Sequence, residues 1–445
     1  MKDKSFIKSL FLIALPISIQ SLFQSSLSVI DQFMVGSLGE QPINAIAFSG
    51  KYLGILNYTI FAISGTASIM MAQYIGNKEN NGVKKAFLFN LILSLGVGII
   101  FFILGFFAPN FIISLFTNDQ IIIGLGADYL KIVSLNIFPL LLSSLLSAYL
   151  QNNKKSILTM ISGFICIICN TLLNWLLIYG IGIFPELGVK GAAIATMVTQ
   201  YVGCSILIIF AIVVSRKIEI KLGFDVKFDK KFIKTNMIIA LPLIITEFMW
   251  SLGESIYAGI YGHMSNEAMA AMANISPVIS LSIGFFSGVS TAAGIMTGQK
   301  LGERDENGAF TYAKRFCIIG VIGSFIMGLL LIVIAKPYSN IYKNLSELSR
   351  QMTVSIMIVY SLVLWSKVSN MISGRIIQSG GKTTFNLVIN LLGTWVFGIP
   401  LGLLAANVLK LDIELVYLMI SIEEIIRCTL CFILIKSKRW IKIIE

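Results

Sequence analysis

Stretches of about 20 or more nearly uncharged, apolar residues recur from one end of this chain to the other, and they restrict its fold more than any other feature. Twelve such segments, separated by polar, turn-rich breaks, lie at about 6–34, 44–74, 86–108, 122–150, 156–182, 190–215, 232–261, 268–298, 312–336, 348–376, 383–409 and 413–436. Each is long enough to cross a hydrocarbon layer of about 30 Å at about 1.5 Å per helical residue. Inside that layer every backbone N–H and C=O has to be paired within the protein, so runs of this length and apolarity specify spanning helices. With 13% charged residues, the chain has about half the charge of a soluble domain, too little to coat a soluble core. The first segment runs from Phe6 past Ile30 without a small-residue cleavage site, so it reads as a span and not as a cleaved signal.

Lysine and arginine orient the spans. With both termini on one side, the loops and ends on that side carry most of the 34 basic residues. The opposite loops hold only Lys190, Lys336, Lys343, Arg350 and Lys410. This is the positive-inside bias of a multi-pass plasma-membrane protein with cytoplasmic termini. The net charge of +12 is thereby accounted for by topology, and no nucleic-acid partner is needed.

The chain also repeats itself. Residues 3–19, "DKSFIKSLFLIALPISI", and 229–245, "DKKFIKTNMIIALPLII", agree at ten of seventeen positions, Pro16 with Pro242 among them. The same offset of 226 joins Gly36 to Gly262, Ala45 to Ala271, Ser64 to Ser290, and "QYIGNKENNG" (73–82) to "QKLGERDENG" (299–308). Later, "LQNNKKS" (150–156) echoes "IQSGGKTT" (377–384) one residue out of step. Six spans return a chain to its starting side, so the two halves have like orientation and a pseudo-two-fold axis along the membrane normal. Domains follow: an N-lobe at 1–215, a basic cytoplasmic linker at 216–231, and a C-lobe at 232–445. Twin lobes of this kind are a transporter signature, with the substrate path where repeats meet. Pro16 and Pro242 stand mid-helix, where each frees a carbonyl and permits a hinge.

Cysteine and histidine chemistry contributes little. The pairs Cys166/Cys169 and Cys428/Cys431 lie inside apolar helical runs and read as small buried hydrophobes. The one histidine, His263, falls near a helix end. There is no H-E-x-x-H and no nucleophile–base pairing, so an intramembrane enzyme is not indicated, and no cofactor or metal is expected.

Several pieces resemble the multidrug and toxic compound extrusion (MATE) family: "ALP" followed by "SVIDQFMVGSLG" (28–39), "AQYIG" (72–76), "CNTLLNWLLIYG" (169–180), "LGVKGAAIAT" (187–196), and a second "ALP" with "EFMWSLGESIYAGIYG" (247–262). They keep the family's order across essentially the whole chain. The resemblance implies an all-α integral membrane fold of twelve transmembrane helices, in two pseudo-symmetric six-helix lobes around a V-shaped cavity. It also implies antiport of drugs or metabolites against H⁺ or Na⁺ by a monomer among membrane lipids.

Ionisable side chains deep in a span cost about 2.5–3.5 kcal/mol on insertion scales and are functional candidates by default. Asp31 closes span one. By resemblance it is the N-lobe coupling acid, grouped with Asn170 and Asn174 of span five, which are four apart on one helix face, and with Thr196 of span six. Some relatives carry a second acid where this chain has Asn174, so the coupling ion stays open between H⁺ and Na⁺.

On span seven, Glu247, Trp250, Glu254 and Tyr257 share one face. Two carboxylates alternating with two aromatic rings suit a small-molecule organic cation. Lys51 in span two and Lys367 in span ten are embedded bases whose expected partner is Glu247 or Asp31, in static bridges or as exchanging partners. Glu423–Arg427 and Asp128–Lys131 are spaced for internal salt bridges. The 17 methionines suit an adaptable binding surface or ordinary core. The rival to drug export is a lipid-linked oligosaccharide flippase of the related superfamily, which needs cations in the cavity to hold a pyrophosphate; Lys51 and Lys367 speak for it, and the acids Asp31, Glu247 and Glu254 against it.

Overall fold

The computed structural model describes residues 2–36, 38–217, 226–342 and 346–444; for 2–3, 27–33 and 217 it describes the backbone alone. The described residues form helices and connecting turns, with no strand among them. In order these are α1 (Lys2–Gly36), α2 (Glu40–Gly76), α3 (Asn80–Phe107), α4 (Pro109–Ser114), α5 (Gln120–Val133), α6 (Ile137–Asn152), α7 (Ser156–Tyr179) and α8 (Val189–Lys217). There follow α9 (Lys230–Met264), α10 (Asn266–Gly302), α11 (Glu306–Ser339), α12 (Glu347–Ser379), α13 (Thr383–Leu391), α14 (Ile399–Leu403) and α15 (Ile413–Lys436).

Among the described residues, 11 spans are long and apolar enough to cross a membrane. The twelfth, α15, has the length at 24 residues, but Glu423, Glu424 and Arg427 sit buried in its middle. The chain divides into two compact units, Met1–Asn236 and Met237–Glu445. Of the linker expected at 216–231, residues 218–225 lie outside the described residues, while 216–217 complete α8 and 230–231 open α9.

The repeat reappears as geometry. Lys78 and Arg304, 226 apart, take the same left-handed conformation (φ 59°) in the turns α2–α3 and α10–α11. Lys154 (φ 59°) and Gly381 (φ 69°) do the same one residue out of step. Equivalent bonds tie the helices together. Ser64 Oγ donates to Ser144 O at 3.1 Å in the first unit, and Ser290 Oγ donates to Met371 O at 2.8 Å in the second. A side-chain bond to a backbone carbonyl across helices fixes both rotation and height, which is why the two units share one packing.

Two expected single spans, the fourth and the eleventh, are interrupted. Proline has no N–H and crowds the carbonyl four residues back. At Pro139 the span breaks into α5, a 3-10 turn at Ser134–Asn136, and α6. The freed carbonyl of Leu135 accepts from Tyr201 Oη at 3.2 Å. The repeat-equivalent position is Ser366, and there α12 runs unbroken. Pro109 stands in the expected break after span three, where α3 ends at Phe107 and the short α4 begins. α1 and α9 pass through Pro16 and Pro242 unbroken, and the carbonyl of Ile238 freed by Pro242 accepts from Thr383 Oγ1 at 3.4 Å.

Span eleven departs most from expectation. Two π-helical segments, Leu392–Gly398 and Leu404–Val408, flank α14. Buried positions Ser156, Thr159 and Ser162 of α7 match Thr383, Asn386 and Ile389 at an offset of 227; Asn170, Asn174 and Leu177 match Gly398, Gly402 and Ala405 at 228. The wide turn absorbs one extra residue while keeping the buried face in phase. Such insertions occur frequently at functional sites.

Candidate functional site

In the first unit, two hydrogen bonds and one ring contact set the register around position 31. Between α1 and α7, Thr159 Oγ1 donates to Gln20 Oε1 at 3.2 Å, Phe23 meets Phe164 at 5.4 Å, and Tyr179 Oη donates to the carbonyl of Met34 at 3.1 Å. The helices run side by side in the same sense, and position 31 comes level with Asn174. The side chain of Asp31 itself lies outside the described residues.

Between α7 and α8, Ser162 Oγ donates to Gly203 O at 3.2 Å and Cys166 Sγ to Thr199 O at 3.7 Å. Counting on by whole turns brings Asn170 level with Thr196. Asn174 Nδ2 donates to Asn170 Oδ1 at 3.0 Å, and both asparagines are buried. Thr196 is half-buried. By these registers position 31 lies level with Asn174, and Thr196 with Asn170, on neighbouring helices.

The second unit holds a denser polar centre, between α9, α12, span eleven and α15. Its hub is Glu424. One oxygen accepts from Arg427 Nη2 at 2.7 Å and from Asn370 Nδ2 at 2.5 Å, and the other faces Lys367 Nζ at 3.3 Å. Arg427 Nη1 also donates to Asn390 Oδ1 at 2.9 Å. Beside this hub Tyr257 Oη donates to Glu423 Oε2 at 2.7 Å. The π segment makes room for these groups. A Cβ at Gly393 would overlap the Arg427 side chain, and one at Gly398 would overlap Tyr257 Oη and the Glu423 carboxylate.

The span-seven face is divided among separate neighbours. Glu247 is half-buried and feels the charge of Arg375 on α12. Trp250 is 38% exposed and stands over a cleft walled by Leu387, Asn390, Thr394 and Trp395. Glu254 is exposed and lies within electrostatic reach of Lys367, Glu424 and Arg427. Tyr257 is buried against Glu423. The four residues lie on one side of α9 and meet different neighbours.

Three expected pairings are corrected. Arg427 bridges to Glu424, three residues away, and not to Glu423, because the helix twist brings i−3 to its guanidinium while Tyr257 takes Glu423. Asp128 pairs with Lys190 at 3.0 Å, and Lys131 instead lies over the Phe106 ring at 5.3 Å. Lys51 is exposed and sits against the rings of Phe48 and Phe116 at 5.5 and 5.8 Å.

Other candidates take ordinary places. All six cysteines are free, with Cys428 and Cys431 buried. His263 is exposed, with Nδ1 2.7 Å from Gly259 O. No cluster of metal-ligating side chains occurs among the described residues. Met296 and Met357 are core.

Sequence reasoning passed over Glu424, Asn370, Asn390 and the two glycines. The signal was there for the first: two adjacent acids and an arginine at the centre of a span are costly in lipid unless they serve one another.

A twice-repeated, all-helical membrane fold with polar groups gathered inside each repeat defines an integral membrane transporter. A family model described as MatE matches residues 16–176 and again 242–404. The second match begins at Pro242 as the first begins at Pro16, so the comparison finds the same repeat. The chain belongs to the MatE family, whose members are transporters and not enzymes.

Among its relatives, a probable multidrug resistance protein NorM of Thermotoga maritima is 21% identical, over 98% of this chain and 93% of its own. A crystal structure of MATE in complex with MaL6 superposes with a TM-score of 0.89 at 17% identity, covering 97% of this chain and 95% of the other. A transporter of the MOP superfamily from Pyrococcus furiosus, described as having a binding pocket of reverse polarity, gives 0.88 at 17% identity with the same coverage. At these identities the structures show the fold.

Proposed function

We propose that this protein is a cation-coupled antiporter that exports organic, cationic drugs or metabolites by alternating access. It would work in the plasma membrane as a monomer, with both termini cytoplasmic and with lobes 1–215 and 232–445 joined by the linker 216–231. Asp31, with Asn170, Asn174 and Thr196, forms the coupling-ion site for H⁺ or Na⁺. Glu247, Trp250, Glu254, Tyr257 and Lys367 shape the site for the substrate cation, and Pro16 and Pro242 permit the bends that accompany exchange. The matching levels of position 31, Asn170, Asn174 and Thr196 on neighbouring, otherwise apolar helices support this reading, with the buried Asn174–Asn170 hydrogen bond at 3.0 Å as the observation that carries it.

Facing inward, ionised Asp31 and the second unit's acids attract the substrate. Facing outward, the coupling ion takes its place at the carboxylate and the substrate leaves. One elementary charge moving through 100 mV supplies about 2.3 kcal/mol, enough for export over roughly fiftyfold. The flippase alternative is opposed by the acids Asp31, Glu247 and Glu254, and of the two bases it could use, Lys51 and Lys367, the second is held by Glu424. The test is ethidium transport by purified protein in liposomes under H⁺ and Na⁺ gradients imposed separately. Asp31→Asn should insert normally and lose gradient-driven transport; full activity in that variant refutes the assignment.

A further inference from the structure

The two units balance their embedded charge in different ways. In the first, residues 9–39, 132–153, 156–189 and 191–215 contain no lysine, arginine or histidine. Lys190, between the last two stretches, is engaged by Asp128 at 3.0 Å. The helices level with position 31 therefore offer an acid there no base of their own, and a cation for it has to come from solution.

In the second unit the buried acids Glu423 and Glu424 stand with two bases, Lys367 and Arg427, so the cluster is balanced from within. Arg427 is fixed twice, to Glu424 and to Asn390. Lys367, expected to meet Glu247 or Asp31, reaches Glu424 Oε1 at 3.3 Å, and its side chain is 23% exposed against 9% for Arg427. It is the more accessible cation of the pair. Asn370, which donates to the other oxygen of Glu424, has its own Oδ1 buried without a hydrogen-bond partner. Tyr261, Tyr360 and Tyr417 lie within reach of the ammonium's charge. Carboxylate, amide and phenol oxygens are what a free monovalent cation would need, and the lysine ammonium already stands among them. The repeat-equivalent residue of the first half, Leu140, is apolar. A cation carried on the chain is present whatever the bulk ion concentration, and a further one entering here would leave an uncompensated positive charge in the interior.

We propose that Lys367 is a tethered counter-ion: its ammonium fills the cation seat at Glu424 throughout the cycle, so the second unit takes up no coupling ion and exchange is confined to the first. Coupling is then one cation per cycle, and Glu247 and Glu254 are left to the substrate. This inference rests on the antiport reading above and fixes the number of ions in it.

The experiment follows thermal unfolding of the purified full chain in detergent, in sodium chloride, propylammonium chloride or choline chloride at equal ionic strength. It uses the Asp31→Asn background, which silences the first unit. With Lys367 intact, sodium should leave the midpoint where choline does. Adding Lys367→Ala empties the seat, and sodium or propylammonium, which replaces the lost part of the side chain, should then raise the midpoint by about 3–6 °C at about ten times its dissociation constant. Adding Glu424→Gln as well should abolish that response. Should Lys367→Ala fail to fold, Lys367→Gln, which is uncharged and too short to reach as far, takes its place in the same test. The inference is overturned if sodium stabilises Asp31→Asn with Lys367 intact, if the emptied seat responds to neither cation, or if the response survives Glu424→Gln. In liposomes, wild type should stop accumulating ethidium at the gradient that balances one cation per cycle; a balance at two also overturns it. Failure of wild type to move ethidium under either gradient refutes the antiport reading alone, since the unfolding midpoints judge the tethered ion without transport.

Discussion

Replacing Arg427 with methionine tests whether the charges of α15 form one unit. The guanidinium is 9% exposed and its partner Glu424 8%. Removing it strips Glu424 of its shortest cationic bond and Asn390 Oδ1 of its donor. Breaking a buried pair by deleting one member costs about 3–5 kcal/mol, because the other charge stays buried. Lys367 at 3.3 Å and Asn370 remain to Glu424, so the lower end, about 3 kcal/mol, is expected. For a unit of this size that lowers the unfolding midpoint by about 6–12 °C.

Adding Glu424→Gln removes the stranded charge, and the double variant should recover more than half of the loss. Thermal unfolding of the purified protein in detergent, followed by tryptophan fluorescence, measures both. A single variant within about 2 °C of wild type, or a double variant no better than the single, would show that the bridge is not the organising contact argued here.

Tyr201→Phe should cost about 1–2 kcal/mol in the wild type, since it strands the Leu135 carbonyl. In a Pro139→Ala background it should cost almost nothing, because the restored amide can take that carbonyl; unfolding midpoints of the four proteins close the cycle. Gly398→Ala should destabilise by about 1–3 kcal/mol through overlap with Tyr257 and Glu423, and adding Tyr257→Phe should recover part of it on the same thermal scale. Asp128→Asn, by contrast, breaks a pair whose partners are both more than half exposed. Its midpoint should stay within about 0.5 kcal/mol of wild type and be insensitive to added salt.

The spans, their number and the two-fold repetition were legible in the chain because they depend on local properties. Apolar length decides what can cross a hydrocarbon layer, and a recurring phrase such as "IALP" reports a recurring backbone. The step from an offset of 226 to 227 was visible in "LQNNKKS" against "IQSGGKTT", and it returned as matched left-handed residues at Lys154 and Gly381. Asn170 and Asn174 could be placed on one face because helical spacing fixes which residues share it, whereas Asp31 was joined to them only by what the family resemblance implies.

Partner choice was decided only by tertiary structure. Arg427 has two acids within helical reach, and spacing favours Glu423 about as well as Glu424. Tyr257, arriving from a helix 166 residues away in sequence, occupies one and leaves the other. Lys131 and Lys51 met aromatic rings in place of the expected acids for the same reason: a long basic side chain samples a wide arc, and whichever neighbour the packed helices bring into that arc becomes its partner. The π segments of span eleven were equally hidden, since no local propensity marks them. In the first of them Gly393 and Gly398 lie against the Arg427 and Tyr257–Glu423 groups, and the extra residue there keeps the buried face in register.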